Sequence, residues 1–206
     1  MNKKTIALDF DGVIANSDIA KVEFARDVLG LDVTERDMKE RYFIELFGDE
    51  RGKTLYWHIL KSVYHSERML NTPMMPFSRE GISKLRADGW SCVVVTSRSG
   101  SLHENGSSAY WAWRFLRENK YEIEERKFFN LNGDSKLAVC LALGAHGLVD
   151  DDYAKILPVM AAGLKGYLFS TRTNSRVEEE YPDFQGLRVA DWNHLAEILL
   201  SLPENA

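Results

Sequence analysis

The chain has 206 residues, 45% of them hydrophobic and 28% charged, with a net charge of −5 at pH 7. This is an ordinary globular mix with enough apolar material for a core, and the length fits one domain carrying a sizeable insertion. The acidic balance gives no support to a broad nucleic-acid-binding surface.

No run reaches the roughly 18 apolar residues of a membrane span. The apolar stretch after Lys3 and Lys4 breaks at Asp9, too short for a secretory signal, so a cytoplasmic protein is expected. Cys92 and Cys140 stand far apart among apolar neighbours and read as buried, reduced side chains. No CxxC or Cys/His cluster points to zinc.

TIALDF reads as a short buried strand closed by a glycine turn. From residue 17 to residue 64, segments such as DIAKVEFARDVLG and KTLYWHILKSVYH space apolar residues three and four apart, which predicts helices. Gly30 fits a helix C-terminal stop. The two prolines of NTPMMPF mark a connector. SREGISKLRADGW predicts a helix with Ser78 as its N-cap and Gly89 past its end. CVVVT is a continuous β-branched strand, buried on both faces. A polar loop then leads into the aromatic helix AYWAWRFLREN, whose Trp111, Phe115 and Leu116 fall on one core-facing stripe. After it come a weak strand KFFNL, helix SKLAVCLALG, strand HGLVD, helix YAKILPVMAAG, strand KGYLFS and the amphipathic helix DWNHLAEILLSL. Alternating strands and helices predict an α/β fold: a Rossmann-like, three-layer core with a mostly parallel sheet. The helical stretch is then a small cap inserted after the first strand. The expected division is residues 1–15 and 76–206 for the core and 16–75 for the cap.

Ligands in such folds bind beyond the carboxyl ends of the strands. Three predicted strands end there in reactive residues: Asp9 and Asp11, Thr96, and the acidic run 150–152. Residues i and i+2 of an extended chain point the same way, so Asp9 and Asp11 can face one pocket while Phe10 turns aside. Two carboxylates at one site repel unless a cation intervenes, and a hard divalent ion, most simply Mg²⁺, resolves that. One carboxylate can attack an electrophile while its neighbour moves a proton. The plainer alternative is a pair of turn-capping acids. Asp150 can complete a metal site, Asp151 can hold a metal-bound water, and Asp152 can cap the next helix. Thr96 and the Ser97 N–H can donate to a phosphate oxygen; a strand-end threonine with an internally satisfied hydroxyl is the alternative. Arg98 either pairs with an anion or is solvated. Lys136 opens a helix, where a cation is unfavourable unless an anion is near; alone it reads as a solvated lysine. Tyr42, Phe43, Phe47, Tyr56 and Trp57 supply the insertion's own core, with one or two left to face the pocket. His103 lies in the loop near the expected mouth.

In order, then, stand DFDG after a first strand, Thr96 after a second, Lys136 at a helix start, and Asp150 with Asp151 after a later strand. This order resembles the haloacid dehalogenase-like (HAD) hydrolase superfamily over most of the chain. The resemblance implies Asp9 as nucleophile through an aspartyl-phosphate and Asp11 as general acid/base. It implies Thr96 with Lys136 as phosphate holders, beside the Ser97 N–H read above, and Mg²⁺ on Asp9, the Asp11 carbonyl and Asp150, with Asp151 in support. The insertion looks like a C1-type cap over the leaving group. The superfamily's dehalogenases lack an acid two residues after the nucleophile and its transport ATPases carry threonine there, so Asp11 favours phosphatase or phosphomutase chemistry.

A finer resemblance is to the 5′(3′)-deoxyribonucleotidases, carried by VVTSR, the aromatic helix, FSTRTN and LRVADW. DFDGVIANS instead resembles phosphoglycolate phosphatases. The expected partner is a small phosphorylated substrate, neither nucleic acid nor membrane. The competing reading from another class is a binding module on a retired phosphatase scaffold.

Overall fold

The computed structural model describes residues 4–131 and 135–203; Lys3 and the chain ends of the expected core lie outside them. Its sheet has six strands: β1 (Thr5–Leu8), β2 (Ser91–Thr96), β3 (Phe128–Asn130), β4 (Gly147–Asp150), β5 (Lys165–Phe169) and β6 (Leu187–Val189). Their order is β3-β2-β1-β4-β5-β6, and every pairing is parallel. The chain builds outward from β1 on one side, then crosses to β4 and builds outward on the other. The point of reversal is the carboxyl end of β1, between β2 and β4, where α/β sheets open a crevice.

The pleat assigns side chains to two layers. Ile6 and Leu8 of β1 join Cys92 and Val94 of β2 on one face, packed under Ile82 and Leu85 of α4 (Ser78–Ala87), Phe115 of α5 (Ser108–Glu118) and Leu195 of α9 (Trp192–Ser201). Ala7, Val93, Val95 and Leu148 face the other way, against Cys140 of α6 (Lys136–Ala142) and Val159 of α7 (Tyr153–Ala161). The expected three-layer α/β core is therefore present, and Trp111, Phe115 and Leu116 are buried in it. Cys92 and Cys140 are buried and form no disulfide.

Between β1 and α4 the chain makes α1 (Ser17–Leu29), α2 (Glu40–Phe47) and α3 (Asp49–Tyr64). Gly30 ends α1 in the left-handed conformation at φ +64°, its N–H donating to Arg26 O. These helices enclose a cluster of their own around Phe24, Met38, Phe43, Ile59 and Val63. The outgoing and returning chains lie side by side: Asn16 N–H donates to Pro73 O and Met75 N–H to Ile14 O, both at 2.8 Å.

Ser78 is not the N-cap of α4. Phe77 takes that place at φ +62°, with no side-chain cap, and Ser78 is the first helical residue. Its buried hydroxyl bonds to the Tyr121 hydroxyl and donates to Ile14 O, a tertiary demand that local capping propensity does not register. β6 and the four-residue α8 (Val177–Glu180) join the expected elements. No helix among the described residues is long and apolar enough to cross a membrane.

Candidate active site

Asp9 leaves β1 at the reversal point, its N–H donating to Val149 O at 2.8 Å across the β1–β4 seam. Asp150 is the last residue of β4 and is 1% exposed. Lys136 opens α6, and its ammonium lies 2.7 Å from Asp9 Oδ1 and 2.6 Å from Asp150 Oδ2. Oxygens of Asp9, Asp150 and Asp151 all lie within 4.8 Å of one another. Lys136 is thus no solvated lysine: it is 5% exposed and bridges two of the acids.

Gly12 makes room for the third. It sits at φ +71°, and a Cβ built on it would stand 2.5 Å from the Asp151 carboxyl carbon. A side chain there meets both a backbone conformation that L-residues avoid and the acid itself. Asp152 plays the expected part of cap: its Oδ1 accepts from Ala154 N–H at 3.0 Å at the start of α7. Its own N–H donates to Asp150 Oδ1 at 2.9 Å, which fixes that carboxylate from behind.

Burial pushes the Asp9 carboxyl up to about 7; the Lys136 charge pulls it down, and Asp150 and Asp11 push it further up. Burial also raises Asp150, against the pull of Lys136. Asp151 stands well above the usual carboxylate range, through burial first and the Asp150 charge second. Burial works against the Lys136 ammonium, yet Asp150 and Asp9 outweigh it and hold its pKa above the ordinary lysine range. Three carboxylates against one ammonium leave a deficit of two positive charges when all are ionised. All-oxygen donors with that deficit fit a hard divalent cation such as Mg²⁺.

Asp11 is placed differently. Its carboxylate takes a two-pronged grip from Arg98, Nε to Oδ2 at 2.9 Å and Nη2 to Oδ1 at 2.7 Å. Burial raises its pKa, but the Arg98 charge and hydrogen bonds outweigh burial and hold it below the usual range. Phe10, between the two acids, is fully buried against Phe115. Thr96 is fully buried at the end of β2, where its Oγ1 accepts from Arg98 N–H at 3.3 Å; Ser97, next along, is exposed.

A cleft of about 410 Å³ opens beside Asp11, Gly12 and Asp151, walled by the insertion on one side and by residues after β5 on the other. Tyr56 and Tyr64 line it from the insertion, Tyr153 and Tyr181 from the core. Of the other insertion aromatics, Phe43 is buried in the local core and Trp57 is exposed. The walls touch at several points. Asp18 meets Lys21 on its own helix and the Thr173 hydroxyl across the cleft. Arg41 and Tyr42 both reach Glu180, and Arg172 pairs with Glu35 at 3.3 Å. His103 lies outside the cleft lining, exposed and paired with Glu125. Sequence reading alone does not find these wall contacts or the grip of Arg98 on Asp11. The Asp18–Lys21 spacing, one helical turn, is the visible trace of one of them.

No protein-family model matches the chain, and no curated protein matches it in sequence. Solved structures do match in shape. A predicted phosphatase from Clostridium acetobutylicum aligns at TM-score 0.67 and 13% identity, over 97% of this chain and 99% of that one. A haloacid dehalogenase-like hydrolase from Streptococcus pneumoniae aligns at 0.64 and 12%, over 96% and 100%. A HAD-family hydrolase from Deinococcus radiodurans, solved with bound phosphate and sodium, aligns at 0.66 and 14%, over 97% and 98%. At this coverage the likeness takes in the inserted helices as well as the sheet. The chain has the fold of the haloacid dehalogenase-like hydrolases.

Proposed function

We propose that this protein is a Mg²⁺-dependent phosphomonoesterase that passes the phosphoryl group of a small metabolite first to Asp9 and then to water. The observation that carries the reading is the cluster of Asp9, Asp150 and Asp151 at the sheet's reversal point, bridged by a buried Lys136. The bound phosphate in the Deinococcus protein of the same fold supports it.

In the first half-reaction an Asp9 carboxylate oxygen attacks phosphorus. The ester P–O bond breaks, its electron pair passes to the leaving oxygen, and that oxygen takes a proton from Asp11, which enters this step protonated against the preference of Arg98 for its ionised form. In the second, water attacks the phosphorus of the aspartyl-phosphate and gives a proton to Asp11. The bond from phosphorus to the Asp9 oxygen breaks, which frees inorganic phosphate and restores the Asp9 carboxylate and the protonated Asp11. Lys136, the Thr96 hydroxyl and the Ser97 N–H hold the non-bridging phosphate oxygens. Asp9, Asp150 and the Asp11 carbonyl, with Asp151 in support, would hold Mg²⁺, which when bound offsets charge on the transferring group. Residues 16–75 serve as the cap over the leaving group, and residues 1–15 with 76–206 as the core. A nucleoside monophosphate is the finer candidate; Tyr56 and Tyr181, half-buried in the cleft lining, offer aromatic surface to a base.

The test is phosphate release from a panel of aryl phosphate, deoxynucleoside monophosphates, phosphoglycolate and sugar phosphates with Mg²⁺ present. Release is expected from at least one ester and is expected to vanish in Asp9→Asn. Equal release by that variant would overturn the mechanism, and an isomerised sugar phosphate in place of free phosphate would make the protein a mutase.

A further inference from the structure

We propose that Arg98 is a positioning residue that sets the Asp11 carboxylate and ties it to the last helix of the insertion. This rests on the reading of Asp11 as the proton carrier. Arg98 lies two residues past the end of β2, yet it is 3% exposed. Its side chain is committed in two directions. Toward the core, Nε and Nη2 grip both oxygens of Asp11 at 2.9 and 2.7 Å. Toward the insertion, Nη1 donates to the Tyr64 carbonyl at 3.3 Å, and the guanidinium centre lies 3.3 Å from the centroid of the Tyr64 ring. Nη2 also lies 3.2 Å from Met69 Sδ, and the guanidinium stands 5.5 Å from the Phe10 ring.

The geometry separates this role from phosphate binding. A guanidinium has its donors in a fixed planar fork that matches one carboxylate. Here the fork is spent on Asp11, and the remaining face is covered by Tyr64. Asp11 in turn is absent from the cluster formed by Asp9, Asp150 and Asp151; its carboxylate is held instead by the two-pronged grip of Arg98, with the Ser17 hydroxyl beside it. Tyr64 closes α3, so a shift of that helix reaches Asp11 through the Arg98 side chain, with the Ser17 hydroxyl, 3.5 Å from the Tyr64 hydroxyl, as a weaker second route.

The prediction is a failure of additivity. Arg98→Lys keeps the charge but cannot grip both oxygens. We expect its kcat on p-nitrophenyl phosphate to fall at least about tenfold, while KM and the inhibition constant of inorganic phosphate hold within about twofold. In an Asp11→Asn background the same change is expected to cost less than about twofold more, because the group it acts through is gone. A thermal melt checks the fold of each variant. If Arg98→Lys does not fold, Tyr64→Leu removes the stack and leaves the ion pair; its kcat loss is expected to be smaller and to vanish equally in Asp11→Asn. Unchanged kcat, a rise in KM and phosphate inhibition constant matching the activity loss, or full additivity in the Asp11→Asn background would each overturn the proposal. A wild type inactive on every ester would sink the phosphatase reading along with it; any of the other three results sinks this proposal alone.

Discussion

The floor and the walls of the cleft are held by different means. The floor is lined by Asp11, Gly12 and Asp151; beside Asp151, and counted with the floor, Asp9, Lys136 and Asp150 are at most 7% exposed, and each is fixed at the end of a strand or the start of a helix. Across the walls, the Asp18–Thr173 contact is buried, but the outer contacts reach solvent: the Arg172 side chain is 73% exposed against Glu35, and Arg41 is 42% exposed against Glu180. Removing one partner of a buried pair costs far more than removing one partner of an exposed pair. The acid cluster is thus held more firmly than the outer contacts between the walls. Arg98 belongs to both regions, buried like the floor but stacked on the wall.

The sharpest way to break this contrast is Asp9→Asn. Its turnover on an aryl phosphate is expected to fall by about 10⁴-fold or more with the melting curve intact, since the attacking oxygen is replaced by an amide. Retained turnover would mean that the floor is scaffolding only. Next in size, Lys136→Met leaves the buried carboxylates without their ammonium. Urea unfolding without divalent cations is expected to show a loss of about 3–5 kcal/mol; a loss below about 1 kcal/mol would put the floor on the same footing as the walls. Adding Mg²⁺ at a hundredfold excess over its dissociation constant is expected to stabilise the wild type by about 2.7 kcal/mol. Asp150→Asn should abolish most of that gain, and an undiminished gain would place the cation elsewhere. Smallest of all, Glu180→Gln weakens a wall contact and is expected to cost less than about 1 kcal/mol in stability. Its effect on catalysis should appear in KM for a bulky ester rather than in kcat for an aryl phosphate. A large kcat effect would show that wall and floor act as one.

How much of this can be read from the sequence depends on how local the cause is. The alternation of strands and helices, the strand-end acids and the Asp152 cap follow from periodicity and short-range rules, and the structure places them as expected. Lys136 alone reads as solvated, because its partners Asp9 and Asp150 are 127 and 14 residues away and meet it only once the sheet is assembled. Arg98 leaves its target open for the same reason: the carboxylate it grips is 87 residues distant. Ser78 is misread as a cap because its hydroxyl serves a tertiary contact. β6 and α8 escape notice because three and four residues cannot display a period, and neither holds an adjacent apolar pair such as the Phe128–Phe129 that marks the equally short β3.

The paired connectors at residues 14–16 and 73–75 have a consequence for how such a protein diversifies. Because the two crossings are hydrogen-bonded to each other, the sheet registers where the insertion departs and returns, and not what lies between. The ends of the inserted segment already meet, so lengthening it changes the closure entropy only logarithmically. Helices could be exchanged, extended or trimmed there without moving Asp9 relative to Asp150. The molecule thereby offers a socket: a fixed sheet edge below, and above it a fitting that can be replaced.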